Sequence, residues 1–471
     1  MTYTESNRHY VNNCKHQLDN HGRLDHIMTT KDLTTKITII FQDKITDFMI
    51  KIDVKLLEHK RFTSKENLGG FFRGWNVNSQ MALKLNILAK CSKTKARVSI
   101  LTLPHSNVDL PAFMPVGTHG TIKGILPEQI DAMGYKLILG NTYHLSLRPG
   151  HEIVEKSGGL HKFSNWKHSY LTDSGGFQMV SLSKLAEVTE EGVEFLDPFT
   201  SEKSFLSPEQ SMKIQNALGA DIIMQLDDVI PSISTGPRVE EAMGRSIRWL
   251  DRCLKSHENV NYQNLFAIIQ GGLDENLREI CCKEMVARNV PGYAIGGLSG
   301  GEEKDHFWRI VDKCTDLLPF DKPRYSMGVG YALDILICVA LGVDMFDCVF
   351  PTRTARFGRA LVPTGYINLK NSQFADDLSP IDIDCQCFTC SNYSKSYLNR
   401  IMCQTPNACH LVSIHNLYYQ ANLMKEIRGS IMEDKFELYI NKFLRTYFTK
   451  IQNIPQWVKN ALDSLNINYN F

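Results

Sequence analysis

Long apolar runs are missing from this chain. Nowhere in its 471 residues do 18 uncharged apolar residues follow one another, so no membrane-spanning helix is expected. No basic and then apolar leader opens it, which argues against a secretory signal. An excess of charge is missing too. Fifty-two basic residues face 51 acidic ones, a net charge of +1, which excludes a chain that grips nucleic acid over its whole surface but leaves room for a local basic patch. The 13 cysteines are odd in number and scattered, unlike a secreted disulfide framework; reduced thiols, some of them metal ligands, fit better. Hydrophobic residues at 43% and charged residues at 22% are ordinary for a soluble globular protein, and the length has room for an α/β barrel of about 250 residues.

The first 80 residues differ from the rest. They are rich in Asn, Lys and Asp, with twelve basic and nine acidic residues and few apolar islands, of which Ile37–Ile40 is one. Nine acids speak against an organelle transit peptide. So little apolar surface cannot offset the entropy of ordering, and residues 1–80 are expected to be a poorly ordered extension. Met81–Lys90 has a helical texture, and Met81 is a plausible second start.

Beyond residue 98, eight short apolar runs follow, each ending abruptly in Gly or a polar residue. They begin at Ala112, Lys136, Tyr170, Asp221, Leu265, Gly292, Arg324 and Val343. Near-continuous apolar runs suit strands buried on both faces. Intervening segments such as Pro208–Ala217 and Arg238–Lys255 have helical patterns. Eight strands alternating with helices predict a (β/α)₈ TIM barrel, with chemistry at the C-terminal strand ends. Those ends carry Asp173, Asp227, Asp228, Gln270 and Asp347. An open doubly wound sheet is the alternative, but no G-x-G-x-x-G loop follows its first strand.

Three constellations bear chemistry. Cys385-x-Cys387-x₂-Cys390, followed by His415, has the makings of a closed, structural Cys₃His zinc site; Cys403, Cys409 and His410 compete for the fourth place. Several carboxylates at one apolar rim are costly unless they have a partner or a task, although any one of them alone reads as a helix cap. Two near one pocket suit glycosyl transfer, one attacking an anomeric carbon and the other moving the proton of the leaving group. Gln270, Gly296 and Gly297 would read the edge of a planar heterocycle, and Phe177 would stack on it. Finally, Arg353, Arg356 and Arg359 crowd into seven residues after the eighth run, where a nucleic-acid backbone would fit.

Asp173-Ser-Gly-Gly-Phe-Gln, Met224-Gln-Leu-Asp-Asp, Ile269-Gln-Gly-Gly, Ala294-Ile-Gly-Gly-Leu, Met345-Phe-Asp-Cys-Val and the cysteine–histidine cluster together resemble the tRNA-guanine transglycosylases, and among them the eukaryotic catalytic type. The resemblance begins near residue 90 and implies one barrel over about 90–465 that includes a zinc-binding subdomain at 380–425. It implies exchange of guanine at the wobble position of GUN-anticodon tRNAs (Asp, Asn, His, Tyr) for queuine, through a covalent RNA–enzyme intermediate. Asp347 is then the nucleophile and Asp173 the general acid/base. Ser174, Gly175, Gly176, Phe177, Asp227, Gln270, Gly297 and Leu298 line the base pocket along with Asp173. Gly328, Val329, Gly330, Tyr331, Ala332, Leu333 and Asp334, and Thr352, Arg353, Thr354, Ala355 and Arg356, contact tRNA. One structural zinc ion sits on Cys385, Cys387, Cys390 and His415. Gly300 and Val229 replace the Val and Cys usual in bacterial members, leaving room for queuine's cyclopentenediol arm. The resemblance also implies a heterodimer with a homologous non-catalytic subunit, in the cytoplasm or peripherally at the mitochondrial outer membrane. Three other readings compete: that non-catalytic subunit itself, a plain RNA-binding barrel, and a metal-dependent barrel hydrolase. The first is disfavoured by the three aspartates, the second by the net charge and the third by the closed, sulfur-rich ligand set.

Overall fold

The computed structural model describes the backbone of residues 15–18, 23–30, 33–41 and 48–55, and then residues 83–177, 187–197, 202–402 and 404–469. The chain divides into two units, 1–78 and 79–471. In the first, Lys15–Leu18, Arg23–Thr30, Leu33–Phe41 and Phe48–Lys55 pair in order as an antiparallel sheet. The apolar island Ile37–Ile40 lies in its third strand. The remainder of the expected loose extension, and Met81 itself, fall outside the described residues.

Lys84–Lys90 is not the helix its texture predicts. It is a strand, paired antiparallel with Arg97–Thr102, which in turn pairs with Asn107–Leu110. Burial along it alternates strictly: Leu85, Ile87 and Ala89 are half-buried while Lys84, Asn86, Leu88 and Lys90 are exposed. A period of two is the strand signature, and it prevails over helix-favouring Ala, Leu and Lys because a neighbouring strand supplies the hydrogen bonds.

All eight apolar runs become parallel strands: β1 (Ala112–Gly117), β2 (Leu137–Gly140), β3 (Ser169–Thr172), β4 (Ile222–Met224), β5 (Asn264–Ile269), β6 (Gly292–Ile295), β7 (Arg324–Ser326) and β8 (Met345–Cys348). They pair in sequence order, and β8 returns to β1 through Met345↔Ala112 to Cys348↔Pro115, closing the barrel. Alternate residues divide between two cores. Met114, Leu137, Leu171, Ile222, Met224, Phe266, Ile268 and Met345 fill the interior, plugged from below by Leu101, Val108 and Leu110 of the antiparallel sheet. Phe113, Ile138, Tyr170, Ile223, Ala267 and Phe346 face outward under the helices. Both faces are apolar because both are covered, which is why the runs lack polar alternation.

The predicted helices appear as Pro208–Leu218 and Pro237–Ser256. The first is opened by a reciprocal cap between Ser207 and Gln210, and each has proline in its first turn. After β8 come a short helix, Phe350–Arg356, and a hairpin, Arg359–Val362 with Gly365–Asn368. Two more short helices lead to the long helix Pro406–Met432. Among the described residues, no helix is long and apolar enough to cross a membrane.

Candidate active site and metal centre

Strand alternation aims the site. Leu171, Ile268 and Met345 point into the barrel, and two residues on from each stand Asp173, Gln270 and Asp347. The side chains that continue the interior stripe past the strand ends are therefore polar, at the C-terminal rim where barrels do their chemistry.

Asp173 is buried. Its Oδ2 accepts from Asn141 Nδ2 at 2.5 Å and its Oδ1 from the Thr142 backbone N–H at 2.8 Å. Both donors follow β2, the neighbour of β3. Asp347 is half-buried, and its Oδ1 accepts from the Tyr325 hydroxyl at 2.5 Å and the Gly328 N–H at 2.8 Å. Burial pushes the Asp347 carboxyl above the ordinary carboxylate range, partly opposed by these two donors. Tyr325 lies inside the barrel, and its hydroxyl is pushed far up by burial first, then by Asp347, with Asp173 also contributing. One phenol thus feels both carboxylates.

A third carboxylate adjoins them. Asp227, buried, accepts from Gln270 Nε2 at 2.7 Å and from Ser174 Oγ at 3.3 Å. Burial raises it to about 6, against the pull of those two donors, with Asp228 adding to the rise. Gly297 has φ 68°, and a Cβ there would come within 2.4 Å of Gln270 Oε1, so only glycine lets the β6 loop approach this amide. Phe177 is 62% exposed at the mouth.

Asp228 proves to be different. It is fully buried but clasped by Arg238 at 2.7 and 2.9 Å and by Arg245 at 2.5 Å, so it holds helix Pro237–Ser256 to the barrel. Asp173, Asp227 and Asp347, by contrast, accept from the neutral donors named above. None of the three is the N-cap residue of a described helix, as Asp274 is, accepting from the N–H groups of Asn276 and Leu277.

The two segments expected to touch RNA flank this rim. Gly328 and Tyr331 are exposed and Ala332 is half-buried, whereas Val329, Gly330 and Leu333 are packed and buried Asp334 pairs with Lys304 at 2.5 Å. In helix Phe350–Arg356, Thr352, Thr354 and Ala355 are buried while Arg353 and Arg356 are exposed, as is Arg359 beyond it. A spacing of three puts Arg353 and Arg356 on one side of the helix.

Cys385, Cys387, Cys390 and His415 bring their ligand atoms within 4.8 Å of one another, so this cluster is able to bind a metal ion. His415 Nδ1 lies 3.6, 3.5 and 3.3 Å from the three sulfurs. Tetrahedral bonds of about 2.3 Å to sulfur and about 2.1 Å to nitrogen would put S and N about 3.6 Å apart. His415 Nε2 faces the Leu361 carbonyl at 2.7 Å, which fixes the proton there and leaves Nδ1 for the metal. Of the rivals for the fourth place, Cys409 and His410 are not in the cluster and Cys403 lies outside the described residues.

Asn141, Thr142 and Tyr325 were missed by the sequence reading. The only signal was their position: the first two directly after the second run, the last inside the seventh, in phase with the interior stripe.

A family model described as queuine tRNA-ribosyltransferase matches residues 91–449. A queuine tRNA-ribosyltransferase catalytic subunit of Schizosaccharomyces pombe is 51% identical over 399 residues, covering 83% of this chain and 99% of the relative. That of Caenorhabditis elegans is 51% identical over 83% of this chain and all of the relative. A queuine tRNA-ribosyltransferase of Caldanaerobacter subterraneus subsp. tengcongensis is 47% identical over 78% and 98%. With the barrel, its polar C-terminal rim and a match over most of its length, the chain belongs to the queuine tRNA-ribosyltransferase family.

Proposed function

We propose that this enzyme, a pentosyltransferase of the tRNA-guanine transglycosylase type, exchanges the wobble guanine of GUN-anticodon tRNAs for queuine by two displacements. The observation that carries this reading is the cluster of Asp173, Asp227 and Asp347, which accept from neutral donors around one tyrosine and one glutamine. Both donors to Asp347 bind Oδ1, so Oδ2 is the oxygen that attacks ribose C1′. As the C1′–N9 bond breaks, Asp173 protonates the departing guanine. Asp173 then takes the N9 proton of queuine, whose nitrogen displaces Asp347 from C1′. Two inversions return the original configuration. The covalent ester conserves the glycosyl bond energy, so no triphosphate is consumed. Asp227 and Gln270, with the backbone at Gly297 and Leu298, read the base edge, and Ser174–Phe177 line the pocket. The base must leave its stack, which costs little in an anticodon loop.

Gly328–Asp334 and Thr352–Arg356 are the tRNA-contacting segments in this reading. The metal is zinc, and a closed ligand set makes it structural; it would hold the 380–425 subdomain and take no part in the reaction. Cys387→Ser should lower zinc content and melting temperature together. The catalytic unit spans about 90–465, without residues 1–80. It works with a homologous non-catalytic subunit, in the cytoplasm or at the mitochondrial outer surface. The test incubates the full chain, alone and with that subunit, with guanine-34 tRNA and labelled guanine or queuine. Incorporation at position 34 is expected; no incorporation of either base, with both proteins folded, would overturn the reading.

A further inference from the structure

Gln270 is held from behind. Its side-chain amide reaches Asp227 in the site, while its backbone is gripped by the helix that follows, Glu275–Ala287. Arg278, in the first turn of that helix, sends Nη1 to the Ile269 carbonyl at 2.7 Å and Nε to the Gly272 carbonyl at 2.8 Å. Three residues on, the Cys281 sulfur accepts the Gln270 N–H at 3.3 Å. Gly271 permits this close seating. Its φ is 130°, and a Cβ there would lie 2.9 Å from the Arg278 backbone nitrogen.

Arg278 is a costly way to hold a loop. It is fully buried, and among the described residues its partners are carbonyls; its remaining nitrogen, Nη2, is buried with none. A buried cation ordinarily has a carboxylate beside it, as Arg97 has Asp344. Arg278 also stands at the end of its helix where the backbone dipole disfavours a cation. The bare Nη2 lies behind Gly297. The Cβ that would come within 2.4 Å of Gln270 Oε1 would lie 3.5 Å from Nη2. One guanidinium therefore bonds the backbone on both sides of Gln270 and backs the glycine against which its amide rests. Cys281 is fully buried as well, so neither residue touches a ligand directly.

We infer that Arg278 and Cys281 are positioning residues for base recognition: they fix the Gln270 backbone, and through it the amide that reads the base edge. This inference rests on the reading of the base site given above. Were the peptide groups around Gln270 free, an incoming base would have to order them, and the cost would appear as weaker affinity. Guanine and queuine present the same aminopyrimidinone edge, so both should respond alike.

Arg278→Lys keeps the charge and loses the planar fork that spans two carbonyls. Cys281→Ala removes the sulfur acceptor, and Cys281→Ser keeps an acceptor in its place. In the exchange assay above, KM for labelled guanine and for queuine is measured at saturating tRNA, with kcat per folded enzyme. Arg278→Lys is expected to raise both KM values about 5- to 10-fold, as befits one lost hydrogen bond, with kcat within about twofold of the wild type. Cys281→Ala should raise them about threefold, sulfur being the weaker acceptor, and Cys281→Ser should stay near the wild type. The cysteine variants decide the matter if the lysine variant does not fold. In a Gln270→Ala background each rise should shrink below about twofold, because nothing is left to position. Unchanged KM in Arg278→Lys and Cys281→Ala, or the same rise with and without the Gln270 side chain, would overturn the inference. So would a loss of melting temperature and kcat with KM intact, the mark of a merely structural role. Guanine exchange by the wild type separates the two levels. If it is absent, the base-exchange reading falls and the positioning role with it; if it proceeds with KM indifferent to Arg278 and Cys281, only the positioning role falls.

Discussion

The barrel has two rims, and they treat buried carboxylates in opposite ways. At the N-terminal rim, Asp344 is bound by Arg97 at 2.7 and 2.8 Å, both side chains being 1% exposed, and accepts the Arg324 N–H as well. Asp221 at the same rim takes His105 and His161 on its two oxygens, with the His105 and Tyr170 N–H groups besides. The two imidazoles stack 3.6 Å apart. At the C-terminal rim, the donors to Asp227 and Asp347 among the described residues are neutral, and burial lifts both above their ordinary range. Fold and charge balance are settled at one end, while the other keeps carboxylates that are costly and unneutralised. Asp228 sits at the reactive rim but is bonded like the structural one, so depth in the chain does not decide role; the partner does.

Exchanging one carboxylate at each rim should separate activity from stability. Asp347→Asn keeps the volume and removes the proposed nucleophile. Base exchange should fall by about 10⁴-fold or more, with no denaturant-stable RNA adduct, while the melting temperature stays near that of the wild type. An equally abundant adduct in the variant would put the nucleophile elsewhere. Asp344→Asn should do the reverse, stranding buried Arg97 at a cost of about 3–5 kcal/mol in denaturant titration, with residual folded enzyme still able to exchange bases. A loss of activity without a loss of stability would blur the two rims.

The rims should also part in pH. Asp227 titrates near 6 in the fold, above its unfolded value, so its contribution to stability is complete below about pH 4 and is lost as pH rises through about 6. Asp221 runs the other way. Burial alone would raise it, but the hydrogen bonds from His105 and His161 hold it well below the ordinary range. Its contribution is present above about pH 4 and lost as pH falls toward its depressed folded value. The Asp347 carboxyl is raised, so the acid limb of kcat/KM should lie above the ordinary carboxylate range of about 4. A limb at or below that range would mean solvated carboxylates at this rim.

The smallest effect is expected outside both rims. Arg353→Ala should weaken tRNA binding evenly across substrates and reduce the salt slope by about one unit, leaving KM for the free base unchanged. A change in base affinity with tRNA binding intact would move Arg353 into the pocket.

The eight strands were readable because a sheet covered on both faces writes uninterrupted apolar runs with abrupt ends. The antiparallel strand at Lys84–Lys90 was misread, since its half-buried face is weakly apolar and its residues also suit a helix. Asp173, Asp227 and Asp347 could be found as acids at strand ends. What distinguishes them from Asp228 could not, because Arg238 and Arg245 reach it from a helix, 10 and 17 residues further on. Tyr325 looked like one more interior apolar residue, and only the Asp347 bond reveals its hydroxyl as part of the site. Only the resemblance puts His415 ahead of His410 as the fourth ligand, and the Leu361 carbonyl supplies a physical reason.

The pairing of β8 with β1 has a consequence for how the chain is made. The strand at Met345–Cys348 is the last of the eight to leave the ribosome, and its partner at Ala112–Gly117 is the first. Until it arrives, the nascent sheet has two open edges, the places where strands of different chains add to one another. Arg97 likewise waits 247 residues for Asp344. The cysteines and histidine of the metal cluster are synthesised directly afterwards, within 30 residues of one another. The complete ligand set for a metal ion therefore exists only after the last strand has been made, and a chain stalled before residue 345 should be held by chaperones or degraded and should not accumulate as a partly active enzyme.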